Sequence, residues 1–485
     1  MNLNSAIEKQ NIVVLGGGIP GIFSALYLSE IFKNHQIHLI EANSTIGGLY
    51  NSINDPIAGT FDKGMHIIYE TCDEEIDSII RSSLDEKDWI FLEGNHKDIA
   101  GVYFKGELNK NSPYLSLSQV DKENYSNCIR DLFEALQSMP PNLRECKTAD
   151  EFFIKRFGNS LYKELFKSAL EKLWRINPDK LHPAITRIIL MDRLIIFDEE
   201  CVKDLMNAQR LRSRIAFPNQ MNLDLSFRSK QRGLYPKSFG MTNVIKGLEK
   251  KLIEADIKIH KNTKLHEIQF SNNEINSLSI ESNNNLENIG SVKLLHSTVS
   301  PLQLLKFFNK EINFTNYDKP LTQRYVYLLL KNRPNMRDLY YYYSFEKGMK
   351  TYRVTNYGSY CPDALRDLSS KYSNSWPICI ELHYAESELD HNNVLNDAIK
   401  ELLITGVISD KNEIIFSKVH SAGGVPLLTI KNCKIASDAY DYINNLKIKN
   451  LLFGCQLPEK GIFFLHDVLL HTKEMINKFK KLYPH

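Results

Sequence analysis

A chain of 485 residues with 43% hydrophobic and 24% charged residues has the composition of a folded, water-exposed protein, and it is too long for one ordinary core, so two or three domains are expected. The formal net charge of +2 argues against a general nucleic-acid binder and leaves room for a local basic site. No apolar run reaches the roughly 18 residues needed to span a bilayer, and the polar stretch Met1 to Gln10 leads straight into the first strand, so a cytoplasmic protein with no secretory leader and no transmembrane segment is expected. The eight cysteines contain no Cys-x-x-Cys pair; they read as reduced thiols, and no metal site is expected.

In chain order, Ile12 to Leu15 is strand-like and runs into Gly16-Gly17-Gly18-Ile19-Pro20-Gly21. The spacing Gly16-x-Gly18-x-x-Gly21 suits a tight turn out of a strand, a backbone close to a pyrophosphate, and a helix packed on the sheet. The helix starting near Pro20 would direct unpaired N–H groups and the positive end of its dipole at the phosphates. A second strand, Gln36 to Ile40, ends at Glu41, whose carboxylate is placed to accept the hydroxyls of an adenosine ribose. Gly47-Gly48 follows, again without side chains beside a large ligand.

Helical periodicity dominates from Asp73 to Ile196, with Thr148-Ala149-Asp150-Glu151 as a capping box. A helix over Thr242 to Ala255 then leads to strands at Ile257 to His260, Leu265 to Phe270, Ile275 to Ile280 and Val292 to Val299. Longer strands follow at Arg324 to Leu330, Leu339 to Ser344, Thr351 to Thr355 and Ile378 to Tyr384, and they look like the roof of a substrate site. In the run Tyr340 to Tyr343, alternation lets at most two hydroxyls face a pocket. Asn450 to Gly454 reads as a buried strand before a final helix from about His466, where His466 and Asp467 read as caps.

Glu41 followed by Gly47-Gly48 resembles the signature of flavoproteins of the amine oxidase and protoporphyrinogen oxidase type, which implies FAD as cofactor. Further stretches resemble one branch of that superfamily, the UDP-galactopyranose mutases and their protoporphyrinogen-oxidase-like relatives. Gly64-Met65-His66-Ile67-Ile68-Tyr69 is similar to a motif whose histidine lies against the flavin. Leu161 to Phe166 and Lys172-Leu173-Trp174 resemble the segment whose tryptophan helps bind the nucleotide. Gly233-Leu234-Tyr235-Pro236-Lys237 with Gly240 is like the opening of the second flavin-binding block, and Asn450 to Gly454 is like the last flavin-contacting strand. Where the mutases carry Gly-Arg and a tyrosine pair, this chain has Gly454-Cys455-Gln456 and Ile462-Phe463-Phe464.

The resemblance implies an α/β fold: a Rossmann-like FAD-binding domain of the second glutathione-reductase type, a helical insert and a mixed-sheet substrate domain. The expected segments are 1–72, 233–301 and 433–485 for the FAD domain, 73–232 for the mainly helical part and 302–432 for the mixed sheet. Gly16, Gly18, Gly21, Glu41, Gly47, Gly48 and Gly454 are the expected cofactor residues, His66 and Arg353 the catalytic ones, and Trp174, Arg187 and Arg324 the substrate-binding ones. Trp174 reads equally as a core residue, and Arg353 also as an exposed strand arginine. The basic stretch Lys203 to Lys237 reads either as a phosphate grip or as a solvated face. The function implied is an FAD-dependent oxidoreductase acting on an anionic, nucleotide-linked sugar in surface-polysaccharide biosynthesis. The alternatives are a pyranose/furanose mutase using reduced FAD and a non-catalytic flavin-binding partner protein.

Overall fold

A computed structural model describes residues 10–189, 191–308, 316–365 and 370–483. Its base is a five-stranded, wholly parallel sheet in the order Lys258–His260, Gln36–Ile40 (β2), Asn11–Leu15 (β1), Val292–Ser297, Leu451–Phe453. Both faces of this sheet are covered, which is why β1 reads as an unbroken apolar run. Ile12 and Val14 pack with Ile22 and Phe23 of the following helix, Ile19–Ile31 (α1). Val13 and Leu15 face the three-stranded antiparallel sheet of residues 263–289 through Leu265, Ile275 and Leu278. The sheet thus draws strands from three separated stretches of chain.

The roof is a seven-stranded mixed sheet, ordered Ile414–Val425, Leu321–Leu330, Trp376–Tyr384, Thr351–Asn356, Tyr341–Ser344, Ala100–Phe104, Glu107–Asn109. Its only parallel pair is Tyr341–Ser344 with Ala100–Phe104. Alternation along Leu321–Leu330 separates two environments. Val326, Leu328 and Leu330 pack with Val394, Ala398 and Leu402 of the helix Val394–Ile404, whereas Tyr325 and Tyr327 face the main core, with the Tyr327 ring tilted against that of Phe61, 4.9 Å between centroids.

Two differences from expectation follow from one physical cause. The part expected to be helical contributes strands Trp89–Leu92, Ala100–Phe104 and Glu107–Asn109 between its first helix, Glu74–Arg81, and the next, Tyr125–Gln137. The run Ala100–Phe104 is buried at every position, so it lacks the alternation that marks a half-exposed strand. The twelve-residue edge strand Ile414–Val425 went unread for the opposite reason: it is exposed or half-exposed throughout and ends in Gly423-Gly424. The helices Tyr125–Gln137, Ala149–Phe157 and Lys167–Trp174 form the rest of that layer. Thr148 caps as expected, accepting from Glu151 N at 3.3 Å, while the Glu151 carboxylate reaches back to Lys147 N at 2.7 Å, so the box is displaced by one residue.

Base and roof meet at Asp62. Its carboxylate is 1% exposed and accepts from Ser52 Oγ at 2.6 Å, Tyr235 OH at 2.5 Å and Met241 N at 3.0 Å. Its backbone carbonyl accepts from Tyr357 OH at 2.5 Å. Burial pushes the carboxyl up, against the pull of Ser52, Tyr235 and Met241. Asp62→Ala leaves two buried donors, Tyr235 OH and Met241 N, and the half-buried Ser52 Oγ without this acceptor, each buried one costing about 1–3 kcal/mol, so urea unfolding is expected to show a loss of at least about 2 kcal/mol, and Asp62→Asn a smaller one. An unchanged unfolding midpoint for Asp62→Ala would remove the network from the account of stability.

Candidate functional site

The turn from β1 into α1 brings the glycines together. A Cβ on Gly21 would collide with the Gly16 carbonyl oxygen, so α1 can leave the sheet at this angle only with glycine there. The N-terminus of α1 at Gly18 has no side-chain cap, so its first-turn N–H groups stay free for an external acceptor. Glu41 ends β2, 7% exposed. One carboxylate oxygen accepts from Gly17 N at 2.8 Å, and the other from Asn43 N and Nδ2, both at 2.7 Å. Beside them lies a cavity of about 650 Å³, lined by Gly16, Glu41, Ala42, Thr263, Val299 and Gln303 among others. Free amides, a fixed carboxylate and this space fit a dinucleotide.

Gly47 N donates to Gly17 O at 2.7 Å, and Gly47 pairs with Gly18, so the second glycine pair lies on the first. Three residues further, Tyr50 lines a second cavity of about 610 Å³ together with Met65 and His66. The Tyr50 and His66 rings are 5.1 Å apart. Burial lowers the His66 pKa to about 3, helped by the charge of Arg353 and opposed by a hydrogen bond to the Lys63 backbone. The imidazole is therefore neutral at every physiological pH.

Arg353 reaches the same cavity from the roof. Its Nε and Nη2 donate to the Glu381 carboxylate at 2.6 and 3.2 Å, and Gln323 Nε2 adds a third hydrogen bond to that carboxylate at 3.2 Å. Burial pushes Glu381 up; burial also works to lower the Arg353 pKa, but the Glu381 charge and hydrogen bonds outweigh it and raise it. With two direct hydrogen bonds the pair is ionised. A Cβ on Gly64, whose φ is +80°, would come within 2.6 Å of Glu381 Cδ, so this glycine admits the carboxylate that orients Arg353. Tyr341 and Tyr343 line the cavity and Tyr340 and Tyr342 do not, following strand alternation.

The remaining expected residues divide. Arg187 lines the second cavity, with Nη2 3.6 Å from Asp467. Trp174 is 5% exposed, lines neither cavity and leaves its indole N–H without a partner. Arg324 does not reach the cavity: one residue out of step with Gln323 and Tyr325, it points to the Tyr384 side of the roof and donates to Gln323 O at 3.0 Å. Gly454 lines neither cavity, because its strand lies at the edge of the base sheet; a Cβ there would meet His296 and Thr472. Cys455 is a core residue whose thiol burial pushes up to about 12, and Gln456 donates to Phe463 O at 2.8 Å.

The basic stretch is not one grip. Arg214 holds Ala135 O and Ser138 O at 2.6 and 2.7 Å, Arg232 binds Glu70, Lys203 binds Glu200, and Arg228 alone lines the cavity. His466 and Asp467 do more than cap. Asp467 accepts from Phe464 N at 3.0 Å, while Phe464 and His466 stack at 5.7 Å on the cavity wall. Sequence reading missed Lys97, Tyr114, Arg193 and Glu381. Only Glu381 carries a signal, a lone carboxylate between Ile380 and Leu382 in an apolar strand.

Residues 14–81 match the family of NAD(P)-binding Rossmann-like domains. No curated protein sequence matches the chain. Among solved structures, a reduced UDP-galactopyranose mutase superposes with a TM-score of 0.71 at 16% identity, over 98% of this chain and 97% of that one. A protein assigned as a protoporphyrinogen oxidase from an Exiguobacterium species gives 0.65 at 13% identity, over 98% and 99%. A fatty acid isomerase from P. acnes gives 0.57 at 12%, over 97% and 98%. The chain therefore has a Rossmann-like dinucleotide-binding domain within a fold shared by a mutase, an oxidase and an isomerase, and fold alone does not choose among their reactions. No helix among the described residues is long and apolar enough to cross a membrane, and no cluster of three metal-ligating side chains occurs among them.

Two outcomes are expected. Gly21→Ala should purify with less than about a tenth of the bound dinucleotide carried by the wild type, read from the absorbance released on denaturation, because α1 must move away from the turn. His66, whose pKa burial lowers from the ordinary 6.5 to about 3 in the folded protein, binds fewer protons folded than unfolded between those values. Stability contributed at neutral pH is therefore lost as pH falls through 6.5. Replacing His66 by Gln should flatten that part of the stability profile, and its imidazole NMR signals should not titrate between pH 5 and 8.

Proposed function

We propose that the protein is an FAD-dependent oxidoreductase of the protoporphyrinogen oxidase and amine oxidase type, acting on a nucleotide-linked sugar in surface-polysaccharide biosynthesis. The observation that carries this reading is the second cavity. It joins the glycine strap at Gly47-Gly48 through Tyr50, presents a neutral His66, and gathers Lys97, Arg187, Arg193, Arg228 and Arg353 against one lining carboxylate, Asp98. Such an excess of cations selects an anionic substrate.

FAD, held along Gly16 to Gly21, Glu41 and Gly47-Gly48, supplies a hydride acceptor when bound. The chain's own groups orient and neutralise. His66 offers a neutral imidazole as a hydrogen-bonding partner. Arg353, fixed by Glu381 and flanked by the rings of Tyr341, Tyr343 and Tyr352 at 5.7 to 6.0 Å, holds one guanidinium edge toward the cavity. The chain has Cys455 where the mutases carry the arginine and Ile462-Phe463-Phe464 where they carry the tyrosine pair, with Phe464 on the cavity wall, which favours oxidation over ring isomerisation.

The test is to incubate purified enzyme with UDP- and dTDP-sugars, oxidised and dithionite-reduced, and follow the visible flavin absorbance and the products. Bleaching of the oxidised flavin by one of these sugars is expected, with His66→Ala and Arg353→Met slowing it by about a hundredfold or more. Furanose formed only by reduced enzyme would replace this reading with that of a mutase. A flavin that no substrate bleaches and no isomerisation accompanies would favour a binding protein.

A further inference from the structure

The segment Lys172-Leu173-Trp174 lines neither cavity, yet its lysine is 4% exposed. Lys172 stands on the helix Lys167–Trp174, and its ammonium donates to two backbone carbonyls, those of Ser344 and Thr351. It forms no ion pair among the described residues. Burial lowers its pKa, helped by the charges of Arg175 and Lys350 and opposed by those of Glu401 and Glu346. A cation kept inside at that cost is satisfied only by acceptors brought to it, so the two carbonyls mark what Lys172 holds.

Both carbonyls lie where the roof hairpin stops being a regular ladder. Its strands pair Tyr341 with Thr355, Tyr342 with Val354 and, last, Tyr343 with Arg353. Ser344 and Thr351 stand just beyond that last pair, and the ammonium bridges them. The strand Thr351–Asn356 is also bulged against its other neighbour: Arg353 pairs with Glu381 but Thr351 with Leu382, which leaves Tyr352 outside the register. In a regular strand Tyr352 and Arg353 would face opposite sides. A bulge re-aims a side chain, and here both turn to Tyr343, whose ring lies 5.3 Å from the Tyr352 ring and 6.0 Å from the Arg353 guanidinium. That side is the second cavity, lined by Tyr343 and Arg353. The neighbours of Lys172 anchor the same turn of chain. Glu401 accepts from Lys350 N and Thr351 N at 2.7 and 2.8 Å, Arg175 donates to Met349 O at 2.8 Å, and His383 stacks on Tyr352 at 4.4 Å.

We propose that Lys172 is a positioning residue for Arg353: by joining Ser344 O to Thr351 O it closes the hairpin beyond the last regular pair and fixes the bulge that turns Arg353 into the cavity. Its effect on rate rests on the reading of the second cavity as the reactive site; the clamp itself does not. The clamp needs donors, because two carbonyl oxygens drawn together repel one another unless a donor group lies between them. Glu381 orients the guanidinium from the next strand, while Lys172 fixes the backbone that carries it. The two act on one residue by separate routes.

A double-substitution cycle on the flavin-loaded enzyme tests this, with a crystal structure of the variant as a second measurement. Lys172→Met keeps the apolar stem and removes the donors. It is expected to slow bleaching of the flavin by the reacting sugar about tenfold or more. In an Arg353→Met background the same change is expected to alter the rate less than about twofold, since a residue acting through Arg353 has nothing left to position. Equal slowing in both backgrounds would make Lys172 a general support of the fold and overturn the proposal, as would a rate that Lys172→Met leaves unchanged. The structure of Lys172→Met is expected to show Tyr352 and Arg353 displaced and the two hydrogen bonds to Glu381 lost; wild-type geometry at both residues would overturn it as well. Should Lys172→Met fail to fold, Lys172→Gln, whose polar amide falls short of the two carbonyls, takes its place in both measurements. If no sugar bleaches the flavin, the oxidoreductase reading falls, and the position of Arg353 in the variant structure decides the role of Lys172 alone.

Discussion

Everything near the reactive end of this molecule is positioned by a buried carboxylate that has no cationic partner in hydrogen-bonding contact. Asp62 takes its hydrogen bonds from Ser52 in the stretch after the glycine strap, from Tyr235 and Met241 at the start of the second base-forming segment, and, through its carbonyl, from Tyr357 in the roof. Three stretches far apart in sequence are thereby set against one another. Ser52 and Thr242 reinforce the arrangement with reciprocal backbone-to-hydroxyl bonds of 2.8 and 3.0 Å. A carboxylate buried in this way is tolerated only because every donor converges on it, so a small shift of any one segment leaves the others unsatisfied. That sensitivity makes it a register device.

The residues after Asp62 inherit the register. Gly64 sits against Glu381, which holds Arg353, and His66 follows on the same wall. Two buried carboxylates, one hydrogen-bonded only by neutral donors and one paired with a guanidinium, thus fix the histidine from the base and the arginine from the roof. The Arg353–Glu381 pair is weak evidence for stability, because desolvating both ions offsets much of their attraction. Its effect is geometric: the guanidinium is held along Nε and Nη2, so one edge alone is left for a ligand.

The parts of the fold set by local chemistry were legible in the sequence. The turn Gly16 to Gly21, the acid at Glu41, the helix over residues 242–254 and most roof strands announce themselves through steric need and periodicity. What was not legible depends on tertiary placement. Ala100–Phe104 is apolar on both faces and gives no period, while the edge strand Ile414–Val425 mixes apolar and polar residues on both faces and gives none either. Lys97 and Arg193 are loop residues whose approach depends on contacts such as Lys97 with Gln231 O, 134 positions away. Arg324 was mistaken for a site residue because the strand was recognised but its phase was not: Gln323 and Tyr325 face inward, so Arg324 cannot. The tyrosine run shows the same rule used correctly, since stating the alternation first limits the cavity to two of its four rings.

Charge is arranged along the second cavity so that its ends differ in kind. At His66 the imidazole is neutral and feels the positive charges of Arg353 and Lys63, of which Arg353 is paired directly with Glu381, so the field is partly offset. Toward Lys97, Arg187 and Arg193 it is positive, because the nearest carboxylates stand back by 3.6 to 4.0 Å. An anion in the cavity meets these less closely paired cations together with the free guanidinium edge of Arg353. The C-terminal stretch adds Phe464 and His466 to the same wall, where burial and the charges of Arg187 and Lys97 oppose the protonation of His466.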